Sequence, residues 1–372
     1  MPTSEVARLP PAPSWACGTG PESDVVLASR ARLSRNLAGI PFPHAASDSE
    51  RRAAERQIMQ VVWEELFPSP LGARALDLAP ERLSEVERSF LAERSLLDTP
   101  IPWRVLATDD ERLAVQIGAV DHLRIIGLAP GFVPSRALEV VRDTDRALEQ
   151  GLNYAVAMDW GYLSSEIMNL GTALCVSTLV HLPALSLLDQ IGSISESMEN
   201  SGYELVPFPP VNRMPTGEEG AHRAPRGARQ PSSDATLYLL RNRRTLGSDE
   251  VAVVAKLEEY TSTLVHYERG ARQELLASKG EEISDSANRA LGVLRFARCL
   301  PASEAWALIS RLRLGVVAEV VSGVSVETVT ALLFINQDNH VEQRRACEGN
   351  GEDGGTARAR IFREMLGVSR AD

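Results

Sequence analysis

Arg30, Arg32 and Arg35 punctuate the stretch Val25-Val26-Leu27-Ala28-Ser29-Arg30-Ala31-Arg32-Leu33-Ser34-Arg35-Asn36. Its β-branched start predicts a strand. Strand side chains alternate between faces, so Arg30 and Arg32 project to the same side. Two guanidinium forks a few ångströms apart repel each other unless an anion lies between them. A polyphosphate suits that place, because each fork offers parallel N–H donors to its oxygens. On spacing alone, a solvated basic edge strand accounts for the same residues.

The elements that must position these arginines are drawn from a chain of 372 residues, long enough for two sizeable cores. The formal net charge of −11 argues against general binding to nucleic acid or to an anionic membrane, which needs a basic surface. Cys17, Cys175, Cys299 and Cys347 lie far apart without CxxC spacing. No disulfide framework, zinc site or other metal-ligating set is expected, and a reducing cytoplasm fits. No apolar run approaches the length of a membrane span. Residues 1–20 are rich in Pro and Gly and lack the apolar segment of a signal peptide, so they read as a loose tail.

Ser47-Asp48-Ser49-Glu50 reads as a capping box opening a helix that carries Ile58, Val61, Val62 and Leu66. A second helix is expected over about 80–95. Trp103–Ala107, Leu113–Ile117 and Asp121–Leu128 read as strands, the first two joined by Asp109-Asp110-Glu111. Pro134–Gln150 reads as a helix, and the long apolar stretch Thr172–Gln190 as a buried helix interrupted near Pro183. Tyr203–Phe208 and Thr236–Leu240 are candidate strands. Pro209–Ser233 between them, with five prolines and Arg213, Arg223, Arg226 and Arg229, reads as a long loop. Helical periodicity dominates from Ser248 to about 340. Gly349–Gly355 formally spells GxGxxG, but no strand precedes it, so it reads as a linker. The expected organisation is therefore a tail (1–20), an α+β domain (21–247), a helical domain (248–348) and a linker with a C-terminal tail (349–372).

Six stretches, in order, resemble the guanidino (phosphagen) kinase superfamily, and within it the bacterial protein-arginine kinases. They are Gly20–Asn36, Asp121-His122-Leu123-Arg124-Ile125, Gly161-Tyr162-Leu163-Ser164-Ser165, Asn169-Leu170-Gly171-Thr172, His181–Leu185 and Asn242-Arg243-Arg244-Thr245-Leu246-Gly247. The resemblance implies an antiparallel sheet flanked by helices, followed by an all-helical domain that supports homodimerisation. It also implies ATP with Mg²⁺ as phosphoryl donor. By the same resemblance Arg30, Arg32 and Arg124 bind the nucleotide phosphates, with Ser29 beside them.

Phosphoryl transfer to a guanidinium needs arginines that clamp the transferring group and a carboxylate that takes a proton from the acceptor nitrogen. The sequence departs from the family at the second requirement. Gly118-Ala119-Val120 stands where the family carries Asn-Glu-Glu, Glu166 where it carries a cysteine, and Cys175 where a further phosphate-binding arginine is expected. A nucleotide-associated histidine expected near Ser95 is absent. The family's Gly-rich acidic loop is replaced by Pro209–Ser233, with Arg226-Gly227 as the one candidate remnant. Val341-Glu342-Gln343-Arg344-Arg345-Ala346 stands in place of the Arg-Asp-x-x-Arg-Ala phosphoarginine pocket, leaving Glu342 and Arg345 as its candidate residues.

Losing a general base costs about 10²–10⁴ in rate. The leading expectation from the sequence is therefore a homologue with a degraded active site, a regulatory pseudokinase that retains an ATP site. The alternatives are an active kinase for protein arginine or a small guanidino compound, with Glu166 as base, and a dimeric interaction module that binds no nucleotide.

Overall fold

A computed structural model describes residues 5–67, 75–98, 100–208, 236–247, 249–349 and 351–367. The arginine-bearing run is β1 (Val26–Arg35). Ser47 caps α1 (Asp48–Glu65) through a reciprocal capping box with Glu50, and after β2 (Leu76–Leu78) the same device at Ser84 and Glu87 opens α2 (Glu85–Glu93). β3 (Arg104–Ala107), β4 (Leu113–Ile117) and β5 (Leu123–Pro130) form a meander. α3 (Pro134–Glu149) begins with Pro at a position that needs no N–H. A short ribbon, β6 (Val156–Ala157) and β7 (Gly161–Tyr162), precedes β8 (Leu174–His181). α4 (Pro183–Leu187), α5 (Ile191–Glu199), β9 (Tyr203–Pro207) and β10 (Leu237–Asn242) follow.

Eight strands pair antiparallel in the order β2-β3-β4-β5-β1-β8-β10-β9, so β1 lies inside the sheet and not at an edge. That removes the edge-strand alternative for Arg30 and Arg32. The helical region comprises α6 (Glu250–Phe296), α7 (Ala302–Val317), α8 (Val326–Ile335), α9 (Asp338–Glu348) and α10 (Gly354–Met365).

The sheet separates two apolar cores. Ala31, Leu33, Val115, Ile125, Val176 and Tyr238 face α1, α3, α4 and the first half of α6. Ala28, Val105, Ala114, Ile126, Leu128 and Leu179 face the second half of α6 together with α7, α8 and α10. α6 serves both cores, and its backbone breaks from helical geometry at Lys279 (φ −138°, ψ 30°), between the two sets of core residues.

Three expectations are corrected. Thr172–Gln190 is not one helix: β8 and α4 divide it. A strand buried on both faces is as continuously apolar as a buried helix, and the β-branched Val176, Thr178 and Val180 decide for the strand. The N-terminal segment is not a loose tail. Val6, Trp15 and Ala16 are buried, and the Trp15 ring meets Phe334 of α8 edge-on at 5.1 Å. Within 349–372, the described residues 351–367 form more than a linker and a tail. Gly349 ends α9 in the left-handed conformation (φ +68°), Asp353 caps α10, and Ala357, Ile361 and Phe362 are buried. No helix among the described residues is long and apolar enough to cross a membrane.

Candidate phosphate-binding site

The sheet register places the arginines. Arg30 and Arg32 lie opposite Leu128 and Ile126 of β5 on one side, and opposite Ser177 and Cys175 of β8 on the other. Arg124 stands opposite Ser34 of β1 and Gln116 of β4, so it shares their face. This face is apolar at one end, where Ala28, Leu128 and Leu179 meet the C-terminal helices, and cationic at the other.

Among the described residues, one carboxylate contacts the cationic end directly. Asp98, in the segment after α2, accepts from Arg124 Nη1 at 2.8 Å and from Arg30 Nη2 at 3.4 and 3.5 Å. Arg32 makes no hydrogen bond among the described residues. The Nε groups of Arg30, Arg32 and Arg124 are buried without partners. Each guanidinium carries five N–H donors. Among the described residues the three cations thus have one contacting carboxylate, which reaches Arg30 and Arg124 but not Arg32, and most of their donors are unused. At an effective dielectric constant of about 20, two like charges 4 Å apart repel by about 4 kcal/mol, so the cluster favours an added anion.

The charges register this imbalance. Burial opposes ionisation of Asp98, yet Arg30, Arg124 and Arg32 hold its carboxyl well below the usual carboxylate range. Burial and the neighbouring Arg32 lower the pKa of Arg124 in spite of Asp98. Burial also works against the charge on Arg32, but Cys175, Asp98, Glu166 and Asp121 raise its pKa on balance. Glu166 and Cys175 therefore belong to the electrostatic surroundings of Arg32.

A polar scaffold holds the segment that carries Glu166. The buried Asp121 carboxylate accepts from Asn36 Nδ2 at 2.6 Å, Ser164 Oγ at 2.8 Å and the Ser165 N–H at 2.8 Å. Asn36 Oδ1 in turn accepts from the His122 N–H at 2.9 Å. Glu166 is half-buried and accepts from Asn169 Nδ2 at 2.7 Å. Thr245 Oγ1 donates to the carbonyls of Met168 and Leu170, and Gly171 packs against the Thr245 backbone so closely that a Cβ would sit 2.6 Å from its oxygen. Two of the matched stretches, Asn169–Thr172 and Asn242–Gly247, are thus docked on each other.

The other sequence-based candidates fall elsewhere. Ser29 is buried away from the cluster: strand alternation turns it to the opposite face, and its hydroxyl donates to Gly131 O (2.7 Å) and accepts from the Val133 N–H (3.0 Å). It anchors the start of α3, so its expected place beside a phosphate is corrected. Arg35 also points away; it pairs with Asp145 at 2.6 Å and lies 3.5 Å over the Tyr162 ring. Arg226 lies outside the described residues. Glu342 and Arg345 are on α9 and pair with each other along the helix.

Where the resemblance calls for carboxylates, Gly118 has φ +71° and packs against the Trp103 ring; a Cβ would lie 1.9 Å from that ring. Ala119 is buried. Gly118–Val120 thus form a tight apolar part of the β4–β5 joint with no acid to offer, and the acid of that joint, Asp121, is engaged by Asn36, Ser164 and Ser165. Sequence reasoning missed Asp98, because a lone Asp between Leu97 and Thr99 belongs to no motif and only the tertiary contact reveals it. A broad depression of about 1190 Å³ opens elsewhere, lined by Arg142, Glu149, Tyr162, Thr172, Asp249 and Glu250, and contains none of the three cluster arginines.

Known proteins with the same features can now be set beside this chain. Residues 75–205 match the family described as "ATP:guanido phosphotransferase, C-terminal catalytic domain", and residues 280–372 match "Protein-arginine kinase McsB C-terminal domain". The second match starts beside the Lys279 break in α6. The protein-arginine kinase of Desulforamulus reducens is 31% identical over 363 residues, covering 96% of each chain. That of Symbiobacterium thermophilum is 33% identical over 362 residues, covering 95% of this chain and 96% of its own. Among solved structures, a lombricine kinase overlays with a TM-score of 0.52 at 20% identity, covering 74% of this chain and 71% of that one. The duplicated taurocyamine kinase of Schistosoma mansoni overlays at 0.52 and 20% identity; the match covers 71% of this chain and 37% of that longer one. These two likenesses concern the fold. Identity of this extent over nearly the whole length places the chain in the protein-arginine kinase family of ATP:guanidino phosphotransferases.

Proposed function

We propose that the protein is an active ATP-dependent phosphotransferase whose acceptor is a guanidinium, with arginine side chains of proteins as the substrate class. The observation that carries this reading is the cluster of Arg30, Arg32 and Arg124 on a single face of the sheet, where among the described residues one carboxylate is in contact, with Arg30 and Arg124. Near full-length similarity to proteins named protein-arginine kinase supports the activity. In the transfer, the bond between the γ-phosphorus of ATP and its bridging oxygen breaks, a bond from phosphorus to a guanidinium nitrogen forms, and that nitrogen gives up a proton. The arginines draw charge from the transferring group. Glu166, within electrostatic reach of Arg32, receives the proton in place of the carboxylates absent at Gly118–Val120.

Exposed Met158, Trp160, Ile167 and Met168 border the Glu166 segment in the chain and offer a protein acceptor an apolar contact that a small guanidino compound would not require. Mg²⁺ would accompany the phosphates of ATP. Pairing of two copies through the helical region, and phosphoarginine capture at Glu342 and Arg345, are part of the same proposal.

Incubation with Mg-ATP and a protein substrate should yield acid-labile phosphate on arginine over multiple turnovers, read by mass spectrometry. Glu166→Gln should lower kcat by about 10²–10⁴. A second reading, nucleotide binding without turnover, is favoured by the apolar Gly118–Val120 turn. It predicts a nucleotide-induced thermal shift with no phosphoarginine, and that pair of results would replace the first reading.

A further inference from the structure

We propose that Asp98 is a resident anion that holds the place of a ligand phosphate between Arg30 and Arg124, and that a polyphosphate binds by displacing it. The inference deepens the reading of the arginine cluster as a phosphate site and rests on it. Asp98 bridges two guanidinium groups that belong to different strands, with Oδ2 2.8 Å from Arg124 and 3.4 Å from Arg30. Its carboxylate is a poor match for the cluster. It has two oxygens for three forks, its contacts to Arg30 are long, and Arg32 is left without a hydrogen bond among the described residues. A tetrahedral phosphate presents one more oxygen and more charge, and a chain of phosphates reaches all three arginines at once.

The position suits a group that must move. The chain before Asp98 is anchored: Arg94 forms a fully buried pair with Glu111, Leu96 O accepts from Gln116 Nε2 at 3.1 Å, and Leu97 is buried. Asp98 follows the end of that anchor outside any helix or strand, with its side chain 21% exposed, so rotation about its own side-chain bonds can release the arginines. Without ligand the carboxylate screens three like charges from each other. With ligand it is redundant and repels the incoming anion.

This arrangement makes the site selective. One phosphate can settle on Arg32 and leave Asp98 where it is, whereas a polyphosphate has to displace it. The test uses the full chain, wild type and Asp98→Asn, with Asp98→Ser as a second variant should the first fail to fold. The probes are inorganic tripolyphosphate and orthophosphate at fixed ionic strength. Without ligand the variant should melt below wild type, and saturating tripolyphosphate should raise its melting temperature more than that of wild type. By calorimetry its tripolyphosphate Kd should fall tenfold or more, and its orthophosphate Kd less than threefold. An equal gain for both anions would mean only that a negative charge has been removed, and would overturn the proposal. So would an unchanged or weaker tripolyphosphate affinity in a variant whose wild-type parent binds it. Failure of wild type and variant alike to bind tripolyphosphate would instead remove the phosphate site itself, and the proposal with it.

Discussion

Two sets of arginines, one buried and one buried only at Arg124, differ in how their charge is met. Arg94, Arg313 and Arg358 tie the sheet and its flanking segments to the C-terminal helices, and their donors are matched within the chain. Arg94 pairs with Glu111 at 2.5 and 2.7 Å, both side chains fully buried. Arg313 reaches Asp24 O, His181 Nδ1 and Thr330 Oγ1 at 2.9–3.1 Å, as well as Ser23 O. Arg358 donates to Asn336 O, Leu300 O and Asp338. In the other set, Arg30, Arg32 and Arg124 have, among the described residues, one carboxylate in contact, with Arg30 and Arg124, and three orphaned Nε groups. Burial alone therefore does not mark a functional arginine. A matched guanidinium is part of the scaffold, and the unmatched cluster is the part proposed to take a ligand.

The sharpest way to break this comparison is to remove charge from the unmatched set. Arg30→Ala with Arg32→Ala should abolish any nucleotide-induced thermal shift and lower phosphotransfer by about 10³ or more, while the unliganded fold stays intact because repulsion has been relieved. Thermal melting with and without Mg-ADP measures both halves. A retained shift would mean that the phosphate site lies elsewhere.

The matched set should behave in the opposite way. Glu111→Gln leaves Arg94 charged and unpaired in the core, which should cost about 3–5 kcal/mol of stability in urea unfolding. If the loss were below about 1 kcal/mol, the contrast between the two sets would fail.

His181 sharpens the comparison further. Burial, reinforced by Arg313 and Arg272, pushes its pKa well below the ordinary value of 6.5, so it stays neutral and its Nδ1 accepts from Arg313. A depressed histidine pKa means that the unfolded chain takes up the proton first. Its contribution is complete above pH 6.5 and drains as pH falls below that value, by up to about 1.4 kcal/mol per unit. Glu268 acts in the contrary sense: burial pushes it up to about 7, so its folded form gains stability as pH falls from 7 toward its ordinary 4.5. The difference in acid sensitivity between wild type and His181→Gln over pH 5–7 isolates the histidine: on acidification from pH 6.5 the variant should lose less stability, or gain more, than wild type.

The smallest effect belongs to a pair on one helix surface. Glu342→Gln, which breaks the partly exposed contact with Arg345, should change stability by no more than about 0.5 kcal/mol. A larger loss would give α9 a structural weight that its exposed pair does not suggest.

Much of the fold could be read from local pattern. The capping box at Ser47, the strands around Asp109–Glu111 and the helix opened by Pro134 all follow from residues adjacent in sequence. The misread segments share a cause. β8 and the two chain ends are decided by what packs on them: the sheet for Val176 and Val180, α8 for Trp15, and the second core for Ile361 and Phe362. At the candidate site, alternation along β1 was enough to place Arg30 and Arg32 on one face and turn Ser29 away. The resemblance added Arg124. Nothing local could bring Asp98 to them across 68 residues of chain from Arg30.

Local geometry and charge follow from the order of the residues: a strand whose period of two aligns Arg30 with Arg32, three residues at Gly118–Val120 that carry no acid, and an acidic chain as a whole. Which of those charges are answered depends on contacts that folding creates between distant parts of the chain. Antiparallel pairing set Arg124 and Cys175 beside the first two arginines, the segment after α2 supplied Asp98, and the Asp121 scaffold held Glu166 within reach of Arg32. Electrostatic energy depends on separation and burial, and for groups distant in sequence the fold alone sets both.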